Sequence, residues 1–207
     1  RNNLAEWRNR FVKRSIDIVA GGLIFLAASP VLLLIALAIC LETPGAPVFA
    51  HWRVGRSGRP FPCLKFRTMV RNSAEILESL LCEDPSARAE WESDFKLRCD
   101  PRITRVGAFL RRTSLDELPQ LLNVVVGQMS LVGPRPIISE EVAKYGEAIA
   151  DYHLVRPGLT GLWQVSGRND LSYEQRVELD SWYVRNWSPW FDLTILFRTI
   201  GVVLGRK

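Results

Sequence analysis

Histidine and closely spaced cysteine are what this sequence has least of. It holds two histidines, His51 and His153, and four cysteines (Cys40, Cys63, Cys82 and Cys99) with no CxxC pair. Neither a structural zinc site nor a disulfide framework is expected from that scatter, and the thiols read as reduced groups of a cytosol-facing protein. Internal repeats and low-complexity tracts are missing too, which excludes solenoids and composition-driven disorder. Charge is missing in one long stretch: residues 18–41, "IVAGGLIFLAASPVLLLIALAICL", carry none in 24 positions.

What charge there is brackets that stretch. The 207-residue chain has a formal net charge of +5. Residues 1–15 hold five Lys/Arg against one Glu, and residues 42–71 hold six against one. Residues 72–207 lean the other way, with 16 basic and 19 acidic groups. A general nucleic-acid coat would not divide so, and no nucleic-acid partner is expected. The chain begins at Arg1 rather than Met, which suggests a piece of a longer polypeptide.

About 20 apolar residues cross a bilayer core, so residues 18–41 suffice by length. Ser29 and Pro30 interrupt them, because proline removes a helix hydrogen bond and restricts the residue before it. Each half is then about 12 residues, roughly 18 Å, too short to cross alone. Both flanks are basic, and the positive-inside rule keeps both on the cytoplasmic side. The reading is a re-entrant helix–break–helix over residues 16–41, entered from a basic amphipathic flank (1–15) and followed by a cytoplasmic domain (42–207). A straight, proline-kinked span is the alternative.

In the remainder, "VFAHWRVG" and "PFPCLKFRTM" read as a hairpin around Arg56–Arg59. Helices are expected over 73–83, over 86–98 after an Asp84 cap, over 139–153 from Ser139, from a Ser172/Gln175 capping box to about 187, and from Ser188 onward. The last is apolar around most of its circumference and suits a core or a membrane interface.

Asp116 and Glu117 lie in "LRRTSLDELPQLLN". Taken alone they begin a helix, with Ser114 or Asp116 as cap, where the helix terminus would keep Asp116 ionised. Their company suggests more. Lys65 and Arg67 in "KFRTM", Arg102, Arg105, Arg111 and Arg112, and Arg135 in the stiff "GPRP" loop could meet a phosphorylated substrate. Paired carboxylates with phosphate suit Mg²⁺.

"KFRTM", "DPRITRVGAFLRRTSLDELPQLLNVVVGQMSLVGPRP", "RPGLTGLWQVSGR" and "SWYVRNWSPWFDLTILFRT" resemble the bacterial polyprenyl-phosphate sugar-phosphate transferases, or monotopic phosphoglycosyl transferases. The likeness runs from about Lys13 to Leu204 and is strongest to the galactose-phosphate branch. It implies an α+β, mostly helical fold: a membrane-inserted re-entrant helix broken at Ser29–Pro30, a cytoplasmic catalytic domain with a small β-hairpin, and interfacial amphipathic helices. It implies transfer of a sugar 1-phosphate from a UDP-sugar to undecaprenyl phosphate with release of UMP, the first membrane step of surface polysaccharide synthesis. Asp116 matches the nucleophile and Glu117 its partner in holding Mg²⁺. Arg135 and Arg111 match phosphate contacts, and Lys65 and Arg67 sit in the matching strand. Implied partners are the UDP-sugar, undecaprenyl phosphate and the bilayer of the bacterial inner membrane, with a homodimer left open. Glucose or an N-acetylated hexosamine could replace galactose, and a non-catalytic membrane-surface protein is the rival reading.

Overall fold

The structure is a computed structural model that describes residues 3–94, 97–167 and 170–205. Its dominant element is α1 (Trp7–Glu42), a helix of 36 residues with Pro30 inside it. The expected division into two helices at Ser29–Pro30 is therefore corrected. Pro30 cannot donate to the Leu26 carbonyl one turn back, but the Ser29 hydroxyl donates to that carbonyl at 2.7 Å. The orphan acceptor that breaks a helix in apolar surroundings is satisfied by the neighbouring side chain. Residues 7–15 of the basic flank form the first turns of α1.

Both ends of α1 rest on the same body. Near its start, Lys13 is buried and bonds Asp192 at 2.6 Å, while Asp17 accepts from Ser130 Oγ and Leu131 N. Leu4, just before it, lies in one core cluster with Leu121, Val124, Leu131, Tyr183 and Ile195. Near its end, Ile39 packs with Phe66 and Leu110 in another cluster. The Glu42 carboxylate accepts the N–H of Arg105 at 2.7 Å and of Val106 at 3.1 Å. The opposite face, including Leu23, Leu26, Leu33, Leu34 and Leu41, is apolar and exposed.

The hairpin forms as expected: β1 (Val48–Val54) pairs antiparallel with β2 (Pro60–Phe66), His51 opposite Cys63. Helices α2 (Ser73–Glu83) and α3 (Pro85–Asp94) follow, with Asp84 Oδ1 accepting from Ser86 N and Ala87 N as an N-cap. Residues 95 and 96 of the longer helix expected there lie outside the described residues. Helix α4 (Arg105–Thr113) ends at Ser114, which adopts the left-handed conformation (φ 59°). A single 3₁₀ turn, Leu115–Glu117, then leads through Pro119 into α5 (Gln120–Val126).

A second sheet was not anticipated. β3 (Ser130–Val132) pairs parallel with β4 (Gly158–Thr160), joining the "SLVGPRP" and "RPGLTG" segments. Between them, Ser139–Ala148 is 3₁₀ with a reversal at Gly146 (φ 51°) rather than the start of one long helix, and α6 spans only Ile149–Leu154. Ile138, not Ser139, holds the cap position. After α7 (Leu162–Ser166), α8 (Tyr173–Asn186) starts with the expected Ser172/Gln175 box and α9 (Pro189–Leu204) with Ser188 as cap. Helix α9 buries one face, with Asp192 and Ile195, and exposes another, with Trp190, Phe197 and Ile200.

Candidate active site

The carboxylate pair does not cap the helix that follows it. Ser114 makes no side-chain cap bond, and Glu117 Oε1 instead accepts from Lys65 Nζ of β2 at 2.8 Å. The left-handed Ser114 between α4 and α5 turns the chain ahead of the pair, and Glu117 meets Lys65 of the hairpin while Asp116 feels the same charge. Burial raises the Asp116 carboxyl above its ordinary range; the Lys65 charge lowers it, Glu117 raises it, and its own backbone N–H and Arg111 lower it. Desolvation thus outweighs the lowering influences on Asp116, of which Lys65 is the strongest.

Glu117 and Lys65 line a shallow cleft together with Arg53, Gln120, Arg135 and Gln164. Asp116 is not part of that lining but lies beside it, under the influence of the same lysine. Cys63 also lines the cleft, and burial pushes its thiol up, so it carries no thiolate there at neutral pH.

Arg135 is held from several sides. Gly158 N donates to Pro134 O at 2.7 Å and Gly133 N to Thr160 O at 2.9 Å, so β4 clamps the loop. A Cβ on Gly158 would stand 2.1 Å from Gly133 N, which leaves no room for another residue at this crossing. The Arg135 guanidinium lies 5.8 Å from the Trp163 ring centre, and Arg176 of α8 lies 4.8 Å from the same ring. Beneath the loop, buried Asp180 accepts from Tyr145 Oη at 2.9 Å. Burial pushes its carboxyl up to about 8 despite Tyr145 and Arg135, so it is largely protonated at neutral pH.

The remaining expected site residues divide. Arg111 donates from Nε to Thr68 Oγ1 at 2.9 Å and acts on Asp116 from outside the cleft. Arg67 is turned away: its guanidinium donates to Thr43 O (2.6 Å) and Pro44 O (3.0 Å), tying the end of α1 to β2. Arg102 is paired with Asp100 at 2.7 Å. Ser29 and Pro30 stay within α1. Arg168 of the "VSGR" motif lies outside the described residues. Sequence reasoning missed Arg53, Gln120, Gln164, Trp163, Arg176 and Asp180. Trp163 sat in a quoted motif, but nothing local indicates that it stacks two arginines.

Two adjacent carboxylates with hard oxygen donors suit Mg²⁺, which takes one or two carboxylates and completes its shell with phosphate and water. Burial and like charge raise Asp116, and a cation beside it would relieve both. Among the described residues no third Asp, Glu, His or Cys joins the pair.

The sequence matches a known family and several named relatives over nearly all of its length. Residues 8–206 match the family described as bacterial sugar transferase. The chain is 58% identical over 206 residues to an undecaprenyl-phosphate galactose phosphotransferase of Salmonella typhimurium, covering 99% of this chain and 43% of that protein. It is 50% identical over 191 residues to the exopolysaccharide production protein ExoY of Rhizobium meliloti, covering 92% and 84%. It is 44% identical over 202 residues to the UDP-glucose:undecaprenyl-phosphate glucose-1-phosphate transferase of Escherichia coli, covering 93% and 40%. The chain therefore spans less than half the length of two of these relatives. With a match over nearly all of its residues and a relative aligned along most of both lengths, the chain belongs to the bacterial sugar transferase family.

Proposed function

We propose that this chain transfers a hexose 1-phosphate, with galactose favoured, from a UDP-sugar to undecaprenyl phosphate and releases UMP, through a covalent intermediate on Asp116. One observation carries the reading: Glu117, Lys65, Arg53 and Arg135 line one cleft beside Asp116. Carboxylate and concentrated positive charge are what a diphosphate donor needs. The galactose preference is supported by the name of the Salmonella relative at 58% identity, against the glucose enzyme at 44%.

In the first displacement, a carboxylate oxygen of Asp116 attacks the phosphorus that bears the sugar. The bond to the UMP oxygen breaks and UMP leaves with the bonding pair. An oxygen of undecaprenyl phosphate then attacks the same phosphorus, and the Asp116 carboxylate departs with its charge restored. Two displacements let both acceptors use one site in turn. Arg135, fixed by the β3–β4 clamp, meets the phosphate without a large ordering cost. Lys65 holds Glu117 and favours the ionised form of Asp116. Asp116 and Glu117 would hold Mg²⁺, which supplies neutralisation of diphosphate charge.

The exposed apolar face of α1 enters the cytoplasmic leaflet in this reading, while its other face stays against the catalytic body, so that the undivided helix does not cross the bilayer. Lys/Arg-rich flanks on both sides and Leu4 and Ile39 packed on one body support that placement.

The test is UMP release from a panel of UDP-sugars with undecaprenyl phosphate. Asp116→Asn should lower it by about a thousandfold or more. Labelled phosphosugar should remain on the wild-type protein when no acceptor is present. An Asp116→Asn protein that turns over normally would falsify the assignment.

A further inference from the structure

A second cleft lies where the start of α1 meets the hairpin tip and the segment before β4. It shares no lining residue with the cleft beside Asp116. Arg10, Arg14, Arg56 and Arg156 line it together with Lys13, and Asp17 is its sole carboxylate. That carboxylate is already engaged, accepting from Ser130 Oγ at 2.8 Å and Leu131 N at 3.0 Å. Lys13 is engaged as well, with Asp192.

Among the described residues, three of the four arginines are held in place by backbone carbonyls and not by acids. Arg14 donates to the carbonyls of Val124 (2.6 Å) and Val125 (2.8 Å), and Arg156 Nε to the carbonyl of Gly127 (2.6 Å). A Cβ on Gly127 would lie 3.0 Å from Arg14 Nη2, so Arg14 and Arg156 converge on one residue. Arg10 Nη1 donates to the carbonyls of Leu4 and Ala5. Carbonyls fix the guanidinium planes without cancelling their charge. The Arg56 side chain has no hydrogen bond or ion pair among the described residues. Burial, then the Arg10 charge, lowers the Arg56 affinity for its proton; Arg156 is lowered by burial, then by Arg14 and Arg56. Asp17 acts on Arg156 in the opposite sense, so among the described residues that line the cleft four arginines share one carboxylate that is already engaged.

Its position names the anion. On the same turns of α1, Trp7 and Phe11 are exposed, and the uncharged face of the helix begins at Ile18. Trp beside Arg at the entrance to an apolar segment suits the headgroup level of a bilayer. We infer that Arg10, Arg14, Arg56 and Arg156 form a second anion site that takes the headgroup phosphate of an anionic membrane phospholipid, distinct from the cleft beside Asp116. It fixes the depth and rotation of α1 at the membrane surface.

Full-length protein in a maltoside detergent, which carries no phosphate, would be titrated with short-chain phosphatidylglycerol and, separately, with inorganic phosphate. Native mass spectrometry counts bound lipid, and the thermal midpoint follows occupancy. The expected result is one saturable phosphatidylglycerol site whose affinity falls about tenfold in Arg56→Gln, the loss of one charge-assisted contact. Arg156→Lys should retain part of it, and Arg135→Gln all of it. Because Arg56 supports no other group, its variant should match the wild-type midpoint without lipid. Unchanged affinity in Arg56→Gln overturns the proposal, as does binding that never saturates. Displacement of the lipid by equimolar inorganic phosphate overturns the headgroup assignment. The readout involves no turnover, so it is independent of the transfer reaction.

Discussion

Lys65 and Glu117 act on Asp116 with opposite signs, and that opposition is measurable. The proposed mechanism needs the Asp116 carboxylate ionised, so it predicts that the acid limb of UMP release follows the Asp116 pKa, which burial holds above the ordinary value. Lys65 favours the charged form, so Lys65→Met should move the acid limb to higher pH. Glu117 disfavours it, so Glu117→Gln should move the limb to lower pH while weakening Mg²⁺ dependence. Profiles of UMP release against pH for both variants check this, and shifts in the same direction would contradict it. The two carboxylates were legible in the sequence, but the sign of the shift was not. It depends on how much water the Leu115–Glu117 turn loses against β2, which no local pattern encodes.

At the scale of elements, α4 acts as the lever that sets the carboxylate turn. Its N-terminus is capped by Glu42 from the end of α1 and by Thr104 Oγ1, and its far end carries Ser114 and Asp116. The contact is close at Gly107, where a Cβ would stand 2.1 Å from Thr68 O. Alanine is the better helix former by about 1 kcal/mol. Gly107→Ala should nevertheless destabilise the protein by about 1–3 kcal/mol, because the obstacle is backbone. Arg111, bonded to Thr68, and the Asp116 turn would shift with the helix. A thermal midpoint several degrees lower, together with reduced UMP release, is the expected outcome. A wild-type midpoint would mean that α4 is not seated on Thr68. The hairpin and most helices were legible because caps and alternation are local. The β3–β4 pair was not, since it joins three-residue strands from distant segments.

For the whole molecule, the decisive feature is that α1 begins and ends on one body. Leu4 and Lys13 anchor the start, and Ile39 and Glu42 anchor the end. A helix crossing the bilayer once would leave its ends on opposite sides. Single-cysteine proteins bearing either Arg8→Cys or the native Cys82, with the other cysteines replaced, should therefore be labelled by an impermeant reagent from the same side of oriented vesicles. Labelling from opposite sides would mean that α1 crosses the bilayer.

By itself, the sequence determined the apolar segment between basic flanks, the hairpin, and the pairing of carboxylates with a stiff arginine loop. These depend on composition and short-range spacing. Only the tertiary structure decided that Ser29 repairs the hydrogen bond Pro30 removes, so that α1 continues where a break was expected. It also turned Arg67 toward Thr43, brought Arg53 into the cleft that Glu117 lines, and gathered four arginines from distant segments into a second cleft. Each of those outcomes depends on which groups lose water together. That is a property of packing, and neighbours in the chain do not fix it.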